Sequence, residues 1–302
     1  MQIDFSTFKT LVTDALMDHY SPEKVKISFH EIVKNNDTKL HGITIEFPGM
    51  NTGASPILYV DKEYHRICED KISFDDFIND LVNAREIHST LSWGSTAGVI
   101  TEWTSARQML YPVLVSADHN EAYLKGLVSK DFLDLKIIYV LRGVMKMDDY
   151  SCIKITKNLF EEYGISLDTL HEQAMQNLRN DHYSFYRIED MLMDATGISD
   201  DIKPVDHFEY GLYCLSNRKK MYGAAGILDI DNLARVADGK DMFVIPSSVH
   251  EMLILPVDVS TNVAELNQMI HQINRTTVQP DEVLSDHAYY FNAAEKRLQL
   301  AA

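Results

Sequence analysis

Two short apolar runs, Met242–Ile245 and Val249–Leu255, stand three residues apart, separated by Pro246-Ser247-Ser248. A link that short admits only an antiparallel pair, because a parallel return needs a crossover of about a dozen residues or more. Both runs are too short for a stable isolated helix and are rich in Val, Ile, Leu and Phe, so they read as strands. This strand–turn–strand over Phe243–Pro256 constrains the chain more than any other segment. Whatever else forms, an antiparallel sheet must.

The same period of two recurs elsewhere. Val25, Ile27 and Phe29 alternate with polar residues, Asn35-Asn36-Asp37 supplies turn chemistry, and Ile43, Ile45 and Phe47 alternate on the return. Further strands are expected over Pro56–Asp61, Met109–Val115, Ile137–Leu141, Tyr150–Thr156 and Phe208–Leu215. A last hairpin is expected from Ala288–Phe291 and Lys296–Leu300. Helical spacing is interleaved irregularly with these. Phe5, Phe8, Leu11, Val12, Ala15 and Leu16 make one stripe; Phe74, Phe77, Ile78, Leu81 and Val82 a second; Val263, Leu266, Met269, Ile270 and Ile273 a third. Shorter helices are expected after Ser166, over Ile188–Ala195 and over Ile227–Val236, with Gly164 as a C-terminal cap before Ser166. Without a regular strand–helix–strand alternation, the expected class is α+β: mixed, largely antiparallel sheets with amphipathic helices packed on them.

A chain of 302 residues has room for two moderate domains. The small and polar stretch Ser89–Gly98 is the expected boundary, giving an N-terminal α+β unit over 1–95 and a C-terminal one over 96–302. Forty-five acidic residues against 28 basic ones give a formal net charge of −17. Such a field repels phosphate backbones and anionic membranes and attracts basic protein surfaces. Direct nucleic-acid binding is therefore disfavoured, and a protein partner with a basic surface is the partner expected. Cys68, Cys152 and Cys214 form no CxxC and are odd in number, which fits a reducing compartment. The opening MQIDFSTFKT has no signal-type apolar segment and no apolar run approaches membrane-spanning length, so a cytoplasmic location is expected.

The chemical motifs fail one by one. His30-Glu31, His171-Glu172 and His250-Glu251 would suit a zinc hydrolase only with a second histidine four residues after the first, where Lys34, Met175 and Ile254 stand. Gly94-Ser95-Thr96-Ala97-Gly98 has nucleophile-elbow spacing but threonine in the nucleophile position. Asp229, Asp231 and Asp238-Gly239 break the calcium-loop pattern at Leu233. Gly223-Ala224-Ala225-Gly226 reads as small-residue packing or close backbone approach. No metal and no cofactor is expected. Ser248, His250 and Glu251 remain as candidate nucleophile, base and carboxylate. On an extended strand residues two apart stand roughly 6–7 Å from one another, too far for a direct hydroxyl–imidazole bond unless a turn shortens the distance.

The segments MYGAAGILD, FVIPSSVHEMLILP and PDEVLSDHAYYFNAAEKRLQL, with FLDLKIIYVLRG and KNLFEEYGISLDTLHEQAMQNL before them, resemble a domain-of-unknown-function family of gut Clostridia. The resemblance spans about Met109 to the C-terminus and implies proteins found in many copies near mobile elements, with no established activity to carry over. Two readings follow. One is a non-enzymatic acidic protein that binds another macromolecule, in its sharpest form a mobile-element-encoded inhibitor of a basic nucleic-acid-binding protein. The other is a hydrolase or small-ligand enzyme centred on Ser248, His250 and Glu251.

Overall fold

A computed structural model describes residues 3–47, 57–89, 100–143, 152–181, 183–195, 203–257 and 261–301. They fall into two compact units. The smaller holds the described residues up to Trp103 except Asn35–Asp37; the larger holds Asn35–Asp37 and those from Thr104 onward. The expected boundary at 95/96 and the Gly94–Gly98 segment lie outside the described residues.

In the smaller unit, helix Phe5–Tyr20 begins at Asp4, whose carboxylate accepts the Thr7 N–H at 2.8 Å and the Thr7 hydroxyl at 2.9 Å. Its buried residues Phe8, Val12 and Leu16 repeat every fourth position, so one stripe meets the core. That core is completed by Ile43 and Ile45 and by Phe77, Leu81 and Val82 of helix Phe74–Ser89. Strands β1 (Lys26–Val33), β2 (Lys39–Glu46) and β3 (Leu58–Tyr59) form an antiparallel sheet. The expected strand over Pro56–Asp61 is thus only two residues long. Asp61 instead opens helix Asp61–Cys68, its carboxylate holding His41 by the backbone N–H (2.7 Å) and by Nδ1 (2.8 Å).

The larger unit carries two sheets. Strands β4 (Leu110–Ser116), β5 (Ser129–Phe132), β6 (Leu135–Arg142) and β7 (Cys152–Lys154) surround β6, which pairs antiparallel with all three of the others. Helix Leu167–Asn180, capped by Ser166 at the Thr169 N–H, packs against β4 through Leu170, Ala174, Met175 and Leu178, and the Asn177 amide donates to the carbonyls of Arg107 and Leu110 at 2.7 Å. The second sheet adds β8 (Tyr183–Arg187), β9 (Tyr213–Asn217), β10 (Met242–Ser248), β11 (Glu251–Pro256), β12 (Tyr289–Asn292) and β13 (Arg297–Leu300) in the order β13-β12-β10-β11-β9-β8. Among the described residues every strand pair is antiparallel, and helices pack on the sheets: the class is α+β.

Phe243 and Ile245 of β10 meet Leu266 and Ile270 of helix Val263–Thr276, while Met242 and Val244 on the opposite face are also fully buried. The central strand is covered on both sides, which is why it reads as a continuous apolar run. Phe208 is buried, but the strand expected over Phe208–Leu215 opens later: Gly211 takes φ 130° and Tyr213 accepts the Glu209 N–H through its hydroxyl at 2.8 Å, so pairing starts only at Tyr213. No helix of the described residues is long and apolar enough to cross a membrane.

Candidate functional site

Strands β10 and β11 join through a two-residue turn, Val249-His250, with Ser248 opposite Glu251. The turn therefore falls after Pro246-Ser247-Ser248, and the pairing register shifts between Pro246 and Ser248 as a bulge. Proline is tolerated inside β10 because β12 pairs only with Met242–Val244, so Pro246 needs no N–H on that side. The bulge and the turn bring Ser248, His250 and Glu251 onto one hairpin tip, each with a different partner.

The Ser248 hydroxyl accepts the backbone N–H of His250 at 3.0 Å, bracing the turn. The His250 imidazole turns to the neighbouring chain segment: Nδ1 accepts the Tyr222 N–H at 3.1 Å, and Nε2 lies 3.5 Å from Glu282 Oε1. Accepting at Nδ1 assigns the neutral ring its proton on Nε2, directed at the carboxylate. Tyr222 adopts a left-handed conformation (φ 53°, ψ 30°), and its ring lies beside the imidazole with centroids 5.6 Å apart. Glu251 points elsewhere. Its Oε1 accepts the Ser247 hydroxyl at 2.9 Å, and its Oε2 faces the Cys214 thiol at 3.5 Å. Burial, and then the Glu251 carboxylate, push the Cys214 thiol far up from its ordinary value, so it stays protonated and unreactive.

The tip is held from behind as well. The Ser216 hydroxyl donates to the His250 carbonyl at 2.9 Å, and the Val249 N–H donates to the Glu282 carbonyl at 2.8 Å. Gly223 opens a 3-10 helix, Gly223–Leu228, in which all six residues are buried. A Cβ at Gly223 would stand 2.3 Å from Ser216 Oγ and 2.4 Å from the His250 carbonyl oxygen, so only glycine lets this backbone approach the hairpin. Beyond Ser248, His250 and Glu251 themselves, the small-residue stretch Gly223-Ala224-Ala225-Gly226 is the sequence signal that points here. Tyr222, Cys214, Ser247 and Glu282 carried none, since their roles depend on pairings across distant parts of the chain.

Chemically, this arrangement braces. A general base must offer a lone pair to the nucleophile, and the one on Nδ1 is taken by a backbone N–H. The other two His-Glu pairs are likewise engaged separately: His30 Nε2 meets Thr44 Oγ1 at 3.0 Å, and His171 Nδ1 meets the Tyr139 hydroxyl at 3.0 Å. Among the described residues no group of three or more His, Cys, Asp or Glu side chains is placed to hold a metal ion.

No curated protein and no solved structure matches the chain. A family model described as a family of unknown function, DUF5688, matches residues 5–293 and so takes in both units and the hairpin with everything that braces it. The chain belongs to that family of unknown function.

Proposed function

We propose that the protein is a non-enzymatic acidic binding protein whose target is a basic, nucleic-acid-binding protein, and that it inhibits the target by occupying the surface meant for phosphates. The observation that carries this reading is the net charge of −17. Exposed carboxylates stand in both units: Asp14, Asp18, Asp75, Asp76 and Asp80 in the smaller, and Glu161, Glu162, Asp168 and Glu172 in the larger. Their summed field steers a basic partner inward and fades with added salt. The engagement of Ser248, His250 and Glu251 in bracing contacts supports a binding protein over an enzyme centred on the hairpin.

The test is capture of partners by the tagged protein from native lysate at about 50 mM and about 200 mM salt, followed by a mobility-shift competition with each recovered partner and its nucleic acid. Basic partners lost at the higher salt, whose nucleic-acid binding the protein abolishes, are expected. Recovery of no partner, or of partners indifferent to salt, would overturn the reading. A screen of ester, amide and phosphoester substrates addresses the hydrolase alternative. Turnover abolished by both Ser248→Ala and His250→Ala, in variants that remain folded, would replace the binding reading with it.

A further inference from the structure

A polar cleft of about 420 Å³ opens in the larger unit, away from the hairpin, lined by Arg179, Asp181, Tyr183, Ser184, Asp229, Asp231, Asn232 and Arg235. Its volume falls in the range of small-ligand sites, on the order of 300–1,000 Å³. Arg179 comes from the last turn of helix Leu167–Asn180 and Arg235 from the last turn of helix Ile230–Ala237. In a chain with such an excess of acid, two arginines on one cleft call for a charge balance.

Each carboxylate of the lining already has a partner. Asp181 is held by Arg142 Nη1 at 2.6 Å, and Arg142 also donates to the Tyr183 hydroxyl at 2.8 Å and lies over the Tyr111 ring at 3.9 Å. Asp231 pairs with Lys296 at 3.3 Å. Asp229 accepts the Asn232 N–H at 3.2 Å as the cap of its helix. Among the described residues the arginines have no carboxylate partner: neither Arg179 nor Arg235 is in an ion pair, and Arg235 donates to the neutral Asn232 side chain at 3.0 Å. Both are exposed. The cleft thus presents two guanidiniums outside any ion pair, beside a serine hydroxyl, an amide and three carboxylates, two of which are already ion-paired with Arg142 and Lys296.

We propose that this cleft binds a small phosphate monoester, the dianion taken by Arg179 and Arg235 and the hydroxyls of the ligand by Ser184, Asn232 and the aspartates. A guanidinium pairs with phosphate oxygens through two parallel N–H donors, two arginines line this one cleft, and its volume exceeds what a phosphate alone fills. The acceptor-rich rim favours a polyol ester over an apolar one. The chain's overall negative field opposes casual anion binding, so a saturable response reports the site.

Thermal unfolding and calorimetric titration of the full chain with inorganic phosphate and glycerol phosphate, against chloride at matched ionic strength, test the proposal. Both phosphates should raise the melting temperature saturably, glycerol phosphate at the lower concentration. Arg179→Ala and Arg235→Ala should each weaken binding at least about tenfold, and Arg179→Lys should recover only part of it, whereas Arg275→Ala outside the lining should change nothing. Melting of each variant without ligand checks that it is folded. An equal response to chloride, no saturable response, or retention of binding in both alanine variants would overturn the assignment.

Discussion

At the level of single residues the hairpin tip is held by atoms with little freedom to move. Replacing Gly223 by alanine drives a Cβ onto Ser216 Oγ and onto the His250 carbonyl, and the carbonyl belongs to the backbone of the turn. Overpacking of this kind costs about 1–3 kcal/mol. The urea midpoint of Gly223→Ala should fall with the slope unchanged, while Gly239→Ala, where no atom crowds the added Cβ, loses only what its φ of 78° imposes. His250→Ala leaves the Tyr222 N–H without its acceptor and should cost about 1–2 kcal/mol. If His250 braced nothing, its alanine variant would match the parent in urea.

At the level of elements, much could be read from the pattern of residues. Apolar periods of 3.6 and 2 located the long helices and most strands, and Ser166 and Gly164 marked helix ends where the structure has them. The hairpin turn was displaced by two residues because Pro and Ser favour turns locally, whereas strand pairing decided the outcome through a bulge. Helix Val263–Thr276 shows the other kind of miss. Its stripe was expected to include Met269 and Ile273, which are 49% and 45% exposed, while Asn274 is buried in their stead. A buried amide is affordable there because it donates to the Ser285 carbonyl at 3.0 Å and to Asp286 Oδ1 at 2.8 Å, partners that spacing cannot reveal. Asp134 is a similar case. It sits in the turn between β5 and β6, and its carboxylate accepts the Ser285 hydroxyl at 2.6 Å and the Tyr289 hydroxyl at 2.7 Å and meets His287 Nδ1 at 3.2 Å. One side chain from one sheet of the larger unit thereby anchors the segment that enters β12 of the other. Asp134→Ala strands the hydroxyl of Tyr289, a fully buried side chain, and should cost about 2–4 kcal/mol, with Asp134→Asn losing less because one oxygen acceptor survives. Equal urea midpoints for the two variants would contradict the anchor.

For the molecule as a whole, pH exposes what charge counting hides. Forty-five carboxylates dominate acid titration, so single groups must be isolated by difference. His171 is held below its ordinary value, first by burial and then by the charge of Lys130. Below the unfolded value of about 6.5, the unfolded chain takes up a proton that the folded chain refuses, so stability falls as pH falls through that window. In His171→Gln this slope should disappear. The alkaline limb runs the other way. Burial, and then the Glu162 carboxylate, push the Tyr163 hydroxyl up to about 12 from 10.0, and burial raises Tyr139 and Tyr289 still further. Between about pH 10 and pH 12 the unfolded chain has released the Tyr163 proton while the folded chain keeps it. The folded state then binds more protons, and stability is full below pH 10 and lost as pH rises through the folded value. Urea midpoints measured every half unit from pH 8 to pH 12 should decline above pH 10, and Tyr163→Phe, which has no proton to lose there, should decline less steeply. Parallel declines in parent and variant would show that Tyr163 ionises alike in both states, and the steepness would then belong to Tyr139 and Tyr289, whose phenylalanine variants should flatten it.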